Sequence, residues 1–149
     1  MNVSPSLAAL WLADAFALAT VAAVGWRLAR RYPSIPPRVP LRLRLDGRPV
    51  AVGSKAGLWL APVATLAVTL ALTAFSIARP PSDYQRPSLT LVFVICAEAA
   101  WYVGWTIDRL VEIARGMTVR IAPGRIFGLA FPILATMVIA LVVAFAASL

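Results

Sequence analysis

Four apolar stretches, each of about 20 residues, constrain what this chain can fold into more than any other feature. They are Leu7–Trp26, Gly57–Ala78, Ser88–Ile107 and Ile126–Ser148. Each is near or above the ~20 residues that a helix needs to cross a ~30 Å hydrocarbon layer. Of the 149 residues, 61% are hydrophobic and 13% are charged, and the connections are short, so almost no chain is left for a soluble core. The sequence predicts one all-α membrane domain, residues 1–149, with four transmembrane helices.

The charges that flank these stretches predict their orientation. No Lys or Arg precedes the first stretch, whereas three arginines follow it directly, which argues against a cleaved signal peptide. The connections Arg27–Lys55 and Asp108–Arg125 hold eight and four basic residues, against two in Arg79–Pro87. Because positively charged loops stay in the cytoplasm, we expect a multi-pass protein of the bacterial inner membrane with both termini outside.

The connection between the first two stretches carries a different pattern. Leu41–Val52 alternates apolar and charged residues around Asp46-Gly47, which favours a type I′ turn and predicts a short cytoplasmic β-hairpin within residues 32–55. Four prolines in the nine residues before it predict a stiff, extended, non-helical lead-in. We expect the leucines to pack on helix ends or the bilayer interface. The candidate contacts to anionic lipid headgroups or to a membrane-protein partner are Arg42, Arg44, Asp46, Gly47, Arg48, Pro49 and Lys55.

The same connection resembles a known family. Three X-proline pairs precede a short alternating strand, which is followed by Gly-x-Pro, Ser-Lys and an apolar stretch with proline in its first turn. Here these are Tyr32-Pro33, Ile35-Pro36, Val39-Pro40, Gly47-Arg48-Pro49, Ser54-Lys55 and Leu60-Ala61-Pro62. This order is similar to the domain of unknown function at the N-terminus of SdpI-type immunity proteins. The resemblance implies a small bacterial membrane protein that acts in resistance to a membrane-active toxin or in signalling, and it implies no known enzyme activity.

Two acidic residues, Asp14 and Glu98, lie within predicted spans, where an unpaired carboxylate at the bilayer centre costs several kcal/mol. Both spans run from outside to inside, so the two carboxyls are expected at similar depth. One hypothesis is a protonatable pair or relay for proton-coupled transport. A second is that each carboxyl is protonated or hydrogen bonded and holds the helices together, and a third is pairing with a separate subunit. The candidate hydrogen-bond donors are Thr20, Thr65, Thr69 and Tyr102.

Small residues recur every four positions in three of the stretches. They are Ala15, Ala19 and Ala23 in the first, Ala100 and Gly104 in the third, and Ala140 and Ala144 in the fourth. Small side chains let helix backbones approach closely, so this spacing is typical of helix interfaces, either within the chain or with a partner.

The residue types exclude most catalytic sites. With no histidine and one cysteine, the chain has no ordinary zinc site, no His-ligated haem and no Ser-His or Cys-His nucleophile. The net charge of +8 follows the loops rather than an aromatic-interleaved surface, so we expect no nucleic-acid partner. We therefore expect no enzyme, cofactor or metal. The open functions are an SdpI-like protein in immunity or signalling, an accessory subunit of a larger membrane complex and, third, a small proton-coupled transporter.

Overall fold

Helices dominate the fold. A computed structural model of the protein describes residues 4–43, 49–117 and 123–146. Its elements are helices α1 (Pro5–Arg31), α2 (Leu60–Ala78), α3 (Gln85–Ala114) and α4 (Pro123–Ala146), and strands β1 (Arg38–Leu43) and β2 (Pro49–Ser54). With their flanking turns, α1, α2 and α3 are long and apolar enough to cross a membrane, whereas the apolar segment of α4 is the shorter Ala130–Val143. The predictions of helix at all four apolar stretches and of a two-stranded sheet between the first two are confirmed.

Helices α1 and α3 form the centre of the bundle. Contacts at both ends show that they run parallel: ion pairs join their C-terminal ends, and Arg86 near the start of α3 donates to Ser4, which precedes α1. The buried face of α1 repeats every three or four residues, as expected for a helix with one packed side. It consists of Leu10, Asp14, Ala17, Val21, Val24 and Leu28. The predicted interface of Ala15, Ala19 and Ala23 is wrong within this chain, because all three are exposed. Ala100 and Gly104 are buried, as predicted.

The other two helices pack on this central pair. Helix α2 contacts both α1 and α3, and its buried residues Pro62, Thr69 and Ser76 lie seven positions apart on one face. Helix α4 packs mainly against α3. Its remaining surface carries exposed apolar side chains, namely Phe131, Leu134, Met137, Val138, Ile139, Leu141 and Val142.

The two strands lie at the end of the bundle where α1 and α3 end. They pair antiparallel, with Arg38 opposite Ser54 and Val39 opposite Gly53, and the register becomes irregular beyond Pro40. The prediction of an extended lead-in is wrong for Tyr32–Ser34, which form a 3-10 turn. Proline is accepted there because it occupies the start of the turn, where no backbone N–H has to donate.

Candidate functional site

A cluster of buried apolar residues lies beneath the two strands and joins them to the helix ends. We call it the hairpin-end core: Leu28, Ile35, Val39, Leu58, Ile107, Leu110 and Val111. Val39 of β1 is fully buried in it, and the partly buried Leu41 packs against it. The prediction that the hairpin leucines pack on helix ends is thus confirmed for Leu41. A lone two-stranded hairpin is marginally stable in water, so this packing is what holds it.

Lys55 closes the hairpin onto the end of α1. Its ammonium Nζ donates to the carbonyl of Tyr32 at 3.3 Å and lies 4.5 Å from the centroid of the Tyr32 ring. Its backbone N–H donates to the carbonyl of Pro37 at 3.1 Å. The Tyr32 ring in turn lies 6.2 Å from that of Trp59. Lys55, which was predicted to contact lipid or a partner, therefore also makes internal contacts that fix the loop.

Ion pairs tie the ends of α1 and α3 together. Asp108 accepts from Arg27, and from Arg31 Nη1 at 2.9 Å. Arg115 Nη2 donates to Ser34 Oγ at 2.7 Å, which joins α3 to the 3-10 turn. Because both arginines on Asp108 are more than half exposed, each pair contributes little stability, and their main effect is to set the relative position of the helices.

The other loop residues predicted to contact lipid or a partner are only partly described. Arg42 lies in β1 opposite Ala51, and Pro49 lies in β2 opposite Leu43. Arg44, Asp46, Gly47 and Arg48 lie outside the described residues, and with them the predicted type I′ turn.

Asp14 lies at the interface of α1 and α2. It is 4% exposed, and its Oδ1 accepts from the Thr73 hydroxyl at 2.7 Å. The thiol of Cys96, on α3, lies beside Thr69 and near Asp14. Sequence reasoning missed Thr73, although it follows Thr69 by one helical turn on the same face of α2. The expected donors Thr20, Thr65 and Thr69 are wrong: among the described residues each hydroxyl donates to the backbone carbonyl four residues earlier, and none bonds to a carboxyl.

Glu98 lies on the other side of α3. Its Oε1 lies 3.0 Å from the hydroxyl of Thr136 on α4, and that hydroxyl shares its one proton between Oε1 and the Pro132 carbonyl, which is also at 3.0 Å. Its second carboxyl oxygen, Oε2, is buried and has no hydrogen-bond partner within the described part of the chain. Tyr102, another expected donor, instead has its ring stacked near that of Trp105.

The two carboxyls occupy separate sites. Asp14 bonds to α2 and Glu98 to α4, and no hydrogen bond joins the two among the residues described. Each is thus held by a threonine of a different helix, and the arrangement expected for a directly coupled carboxyl pair is not formed.

Glu98 also lines a groove between α1 and α3, which we call the Glu98 groove. Its volume is about 380 Å³. The lining residues are Phe16, Thr20, Val94, Ala97, Glu98 and Trp101. Apart from the carboxyl and the Thr20 hydroxyl, which is engaged with the Phe16 carbonyl, the walls are apolar or aromatic.

A second groove, of about 370 Å³, lies between α1 and α2 near the hairpin end. Trp26 and Trp59 line it together with small and aliphatic side chains. The guanidinium of Arg30 lies 5.5 Å from the Trp26 ring centroid. This groove is apolar, with one guanidinium lying over one of its two indole rings.

Within the described ranges, no group of three or more His, Cys, Asp or Glu side chains is arranged to hold a metal ion. Comparison of the chain with protein-family models, with curated protein sequences and with solved structures finds no match. The fold and its contacts define a helical protein in which α1, α2 and α3, with their flanking turns, are long and apolar enough to cross a membrane, with two separate carboxyl sites and a hairpin packed on one end.

Proposed function

We propose that this chain is an integral membrane protein that crosses the bilayer four times. The apolar surface supports this proposal, because large hydrophobic side chains are exposed along the helices. On α2 they include Leu60, Val63, Leu66, Val68, Leu70, Phe75 and Ile77. Contiguous apolar surfaces of this extent are rare on soluble monomers, whereas lipid covers them without cost.

The hairpin end lies in the cytoplasm of a bacterium, and both termini lie outside. Arg27, Arg31 and Arg115 gather at the hairpin end, while Arg86 and Asp83 form an ion pair at the opposite end. A surplus of Lys and Arg favours the cytoplasmic side and attracts anionic lipid headgroups.

The proposed role is non-enzymatic, in immunity to a membrane-active toxin or in signalling, as in the SdpI-type proteins that the loop resembles. One observation carries this proposal. Four residues of the resemblance hold the loop against the helix ends: Ile35 and Val39 are buried in the hairpin-end core, and Lys55 bonds to Tyr32. A motif that packs as a cap over the helix ends suits a binding or regulatory protein.

The orientation is tested by labelling engineered cysteines in a Cys96→Ala background. Tyr84 and Met117 are a matched pair, because they are 80% and 69% exposed and lie at opposite ends of the bundle. In intact cells an impermeant thiol reagent is expected to label Tyr84→Cys, and to label Met117→Cys only after permeabilisation. The reverse pattern would invert the orientation, and recovery of the chain in the soluble fraction would overturn membrane insertion.

The role is tested by deleting the gene in the native host and challenging cells with membrane-active cationic peptides. Deletion is expected to raise sensitivity, and the wild-type chain to restore resistance. Val39→Asp, which places a charge in the hairpin-end core, is expected to fail, while Val52→Asp, at a position 69% exposed, is expected to complement. The immunity role would be contradicted if the deletion strain grew as the wild type does and was no more sensitive than the wild type to any of the peptides.

A second candidate is an accessory subunit of a larger membrane complex. The observation that favours it is the outer face of α4, which is apolar and lies away from α3, the helix on which α4 mainly packs. Purification in mild detergent at native expression level, followed by native mass spectrometry, separates the two candidates. A stoichiometric set of partner proteins would support the subunit role, whereas a monomer or homo-oligomer would support the immunity or signalling role.

A further inference from the structure

The buried Oε2 atom of Glu98 has no hydrogen-bond partner in the part of the chain that the structure describes. Glu98 is near the middle of α3, which runs from Gln85 to Ala114, so its carboxyl is far from either end of the helix. Thr136 supplies one donor, to Oε1, and the other oxygen has none within residues 4–43, 49–117 and 123–146. A buried polar atom without a partner is destabilising, and a carboxylate in hydrocarbon needs a cation or several donors.

The groove beside this carboxyl has the walls of a ligand site. Its volume of about 380 Å³ falls at the lower end of the range for small-molecule pockets, which is roughly 300–1,000 Å³. Phe16 and Trp101 line it with aromatic rings, and an aromatic ring attracts a cation over its face. Both side chains are also exposed, by 66% and 49%, so the groove opens on the surface that would face lipid.

We propose that the Glu98 groove binds a lipophilic organic cation. Charge complementarity commits the site to this occupant: an acidic group whose Oε2 has no partner among the described residues lies beside apolar and aromatic walls, and the contact between Oε1 and Thr136 holds it in place. Binding of a cation pairs the carboxylate, which removes the cost of an isolated charge in hydrocarbon. This inference rests on the proposed membrane location of α1 and α3. It names the class of ligand for the proposed immunity role, since a cationic amphiphile reaches this groove from the bilayer.

The surroundings of the two carboxyls support a cation site at Glu98 rather than at Asp14. Asp14 is buried between α1 and α2, and Thr73 donates to it, whereas it is not among the residues that line the groove. Asp14→Asn is therefore the matched control for Glu98→Gln. Both replacements are isosteric, and both remove a carboxyl near the middle of a long helix.

The test uses equilibrium dialysis to measure the binding of tetraphenylphosphonium to the full-length chain purified in detergent. Tetraphenylborate, which has the same shape and the opposite charge, is the control ligand. We expect saturable binding of the phosphonium and none of the borate. Glu98→Gln is expected to weaken binding by at least about tenfold, as does the loss of one member of a desolvated charge pair. Trp101→Leu is expected to weaken binding more modestly, and Asp14→Asn is expected to bind as the wild type does.

Equal binding of the two ions would show that the groove accepts any apolar occupant, such as an acyl chain, and would overturn the proposal. Unchanged affinity in Glu98→Gln, or absence of saturable binding to a folded wild-type chain, would overturn it as well. Circular dichroism and gel filtration of each variant establish that it is folded. The membrane fractionation and the peptide challenge are separate readouts, so a chain that inserts and protects cells without binding the phosphonium would overturn this inference alone.

Discussion

Gly104 of α3 lies directly against Val24 of α1, and a Cβ atom added at Gly104 would stand 2.8 Å from Val24 Cγ2. Valine has little freedom at χ1, so it cannot turn away from such an atom without strain. The close approach of the two central helices therefore depends on the missing side chain at Gly104. Gly104 lies one helical turn before Asp108 and its ion pairs, so close packing and electrostatic contacts hold the same end of α1 against α3.

Replacement of Gly104 by valine is expected to lower the free energy of unfolding by about 1–3 kcal/mol, because the helices must separate or repack. The measurement is denaturant unfolding of the purified protein in detergent, followed by circular dichroism. Gly128 on α4 is the matched control, since a Cβ there meets no atom of the described residues within 4 Å. Equal loss of stability in Gly104→Val and Gly128→Val would show that helix propensity, and not the contact with Val24, is responsible.

Truncation of Val39 to alanine is expected to loosen the hairpin. Val39 is fully buried in the hairpin-end core, so losing two methyl groups costs about 1–2 kcal/mol of local packing. The readout is limited trypsin digestion, because Arg42 in β1 and Arg44, two residues further along the chain, offer cleavage sites. Val39→Ala is expected to be cleaved faster than the wild type. Val52→Ala removes the same atoms from an exposed position of the facing strand and is expected to be cleaved at the wild-type rate; faster cleavage of both would point to a general effect on strand pairing.

Neutralisation of Asp108 is expected to weaken the junction of α1 and α3 slightly. Asp108→Asn leaves Arg27 and Arg31 without their shared partner, but both guanidiniums are more than half exposed, so the loss is no more than about 1 kcal/mol. The difference from wild type is expected to shrink as salt screens the pairs. Thermal unfolding at low and high ionic strength measures this. Asp83→Asn, which removes an 80% exposed partner of Arg86, is expected to change stability less, and a larger effect there would contradict this ranking.

Removal of the Thr73 hydroxyl is expected to destabilise the α1–α2 interface. Thr73→Val leaves Oδ1 of the buried Asp14 without its donor, at a cost of about 1–3 kcal/mol. Thr65→Val is the comparison, because the Thr65 hydroxyl donates only to the Ala61 carbonyl of its own helix. Asp14→Asn keeps an acceptor for Thr73 and is expected to unfold close to the wild type. A strong loss of any cellular phenotype in a stable Asp14→Asn protein would instead favour the proton-coupled transporter.

Local features of the sequence were sufficient to predict much of the fold. The four helices follow from apolar stretches that need no tertiary information, because a long run of apolar residues forms a helix whatever lies beside it. The strands on either side of the Asp46-Gly47 pair follow from alternation, and Leu41 packs on the helix ends because alternation places it on the apolar face. The 3-10 turn at Tyr32–Ser34 was missed because proline is accepted at the start of such a turn as readily as in an extended segment.

The tertiary structure alone decided which partner each polar side chain has. A spacing of three or four residues identifies the members of a helix face, but it does not say how the helix is rotated about its axis toward its neighbours. The exposed stripe of Ala15, Ala19 and Ala23 shows this for packing, and the bonds of Asp14 to Thr73 and of Glu98 to Thr136 show it for polar contacts. The sequence by itself determined that two carboxyls lie in apolar helices. Helix rotation determined that they lie on different faces, Asp14 toward Thr73 of α2 and Glu98 toward Thr136 of α4, because each interface admits only the side chains that its two helices turn toward it.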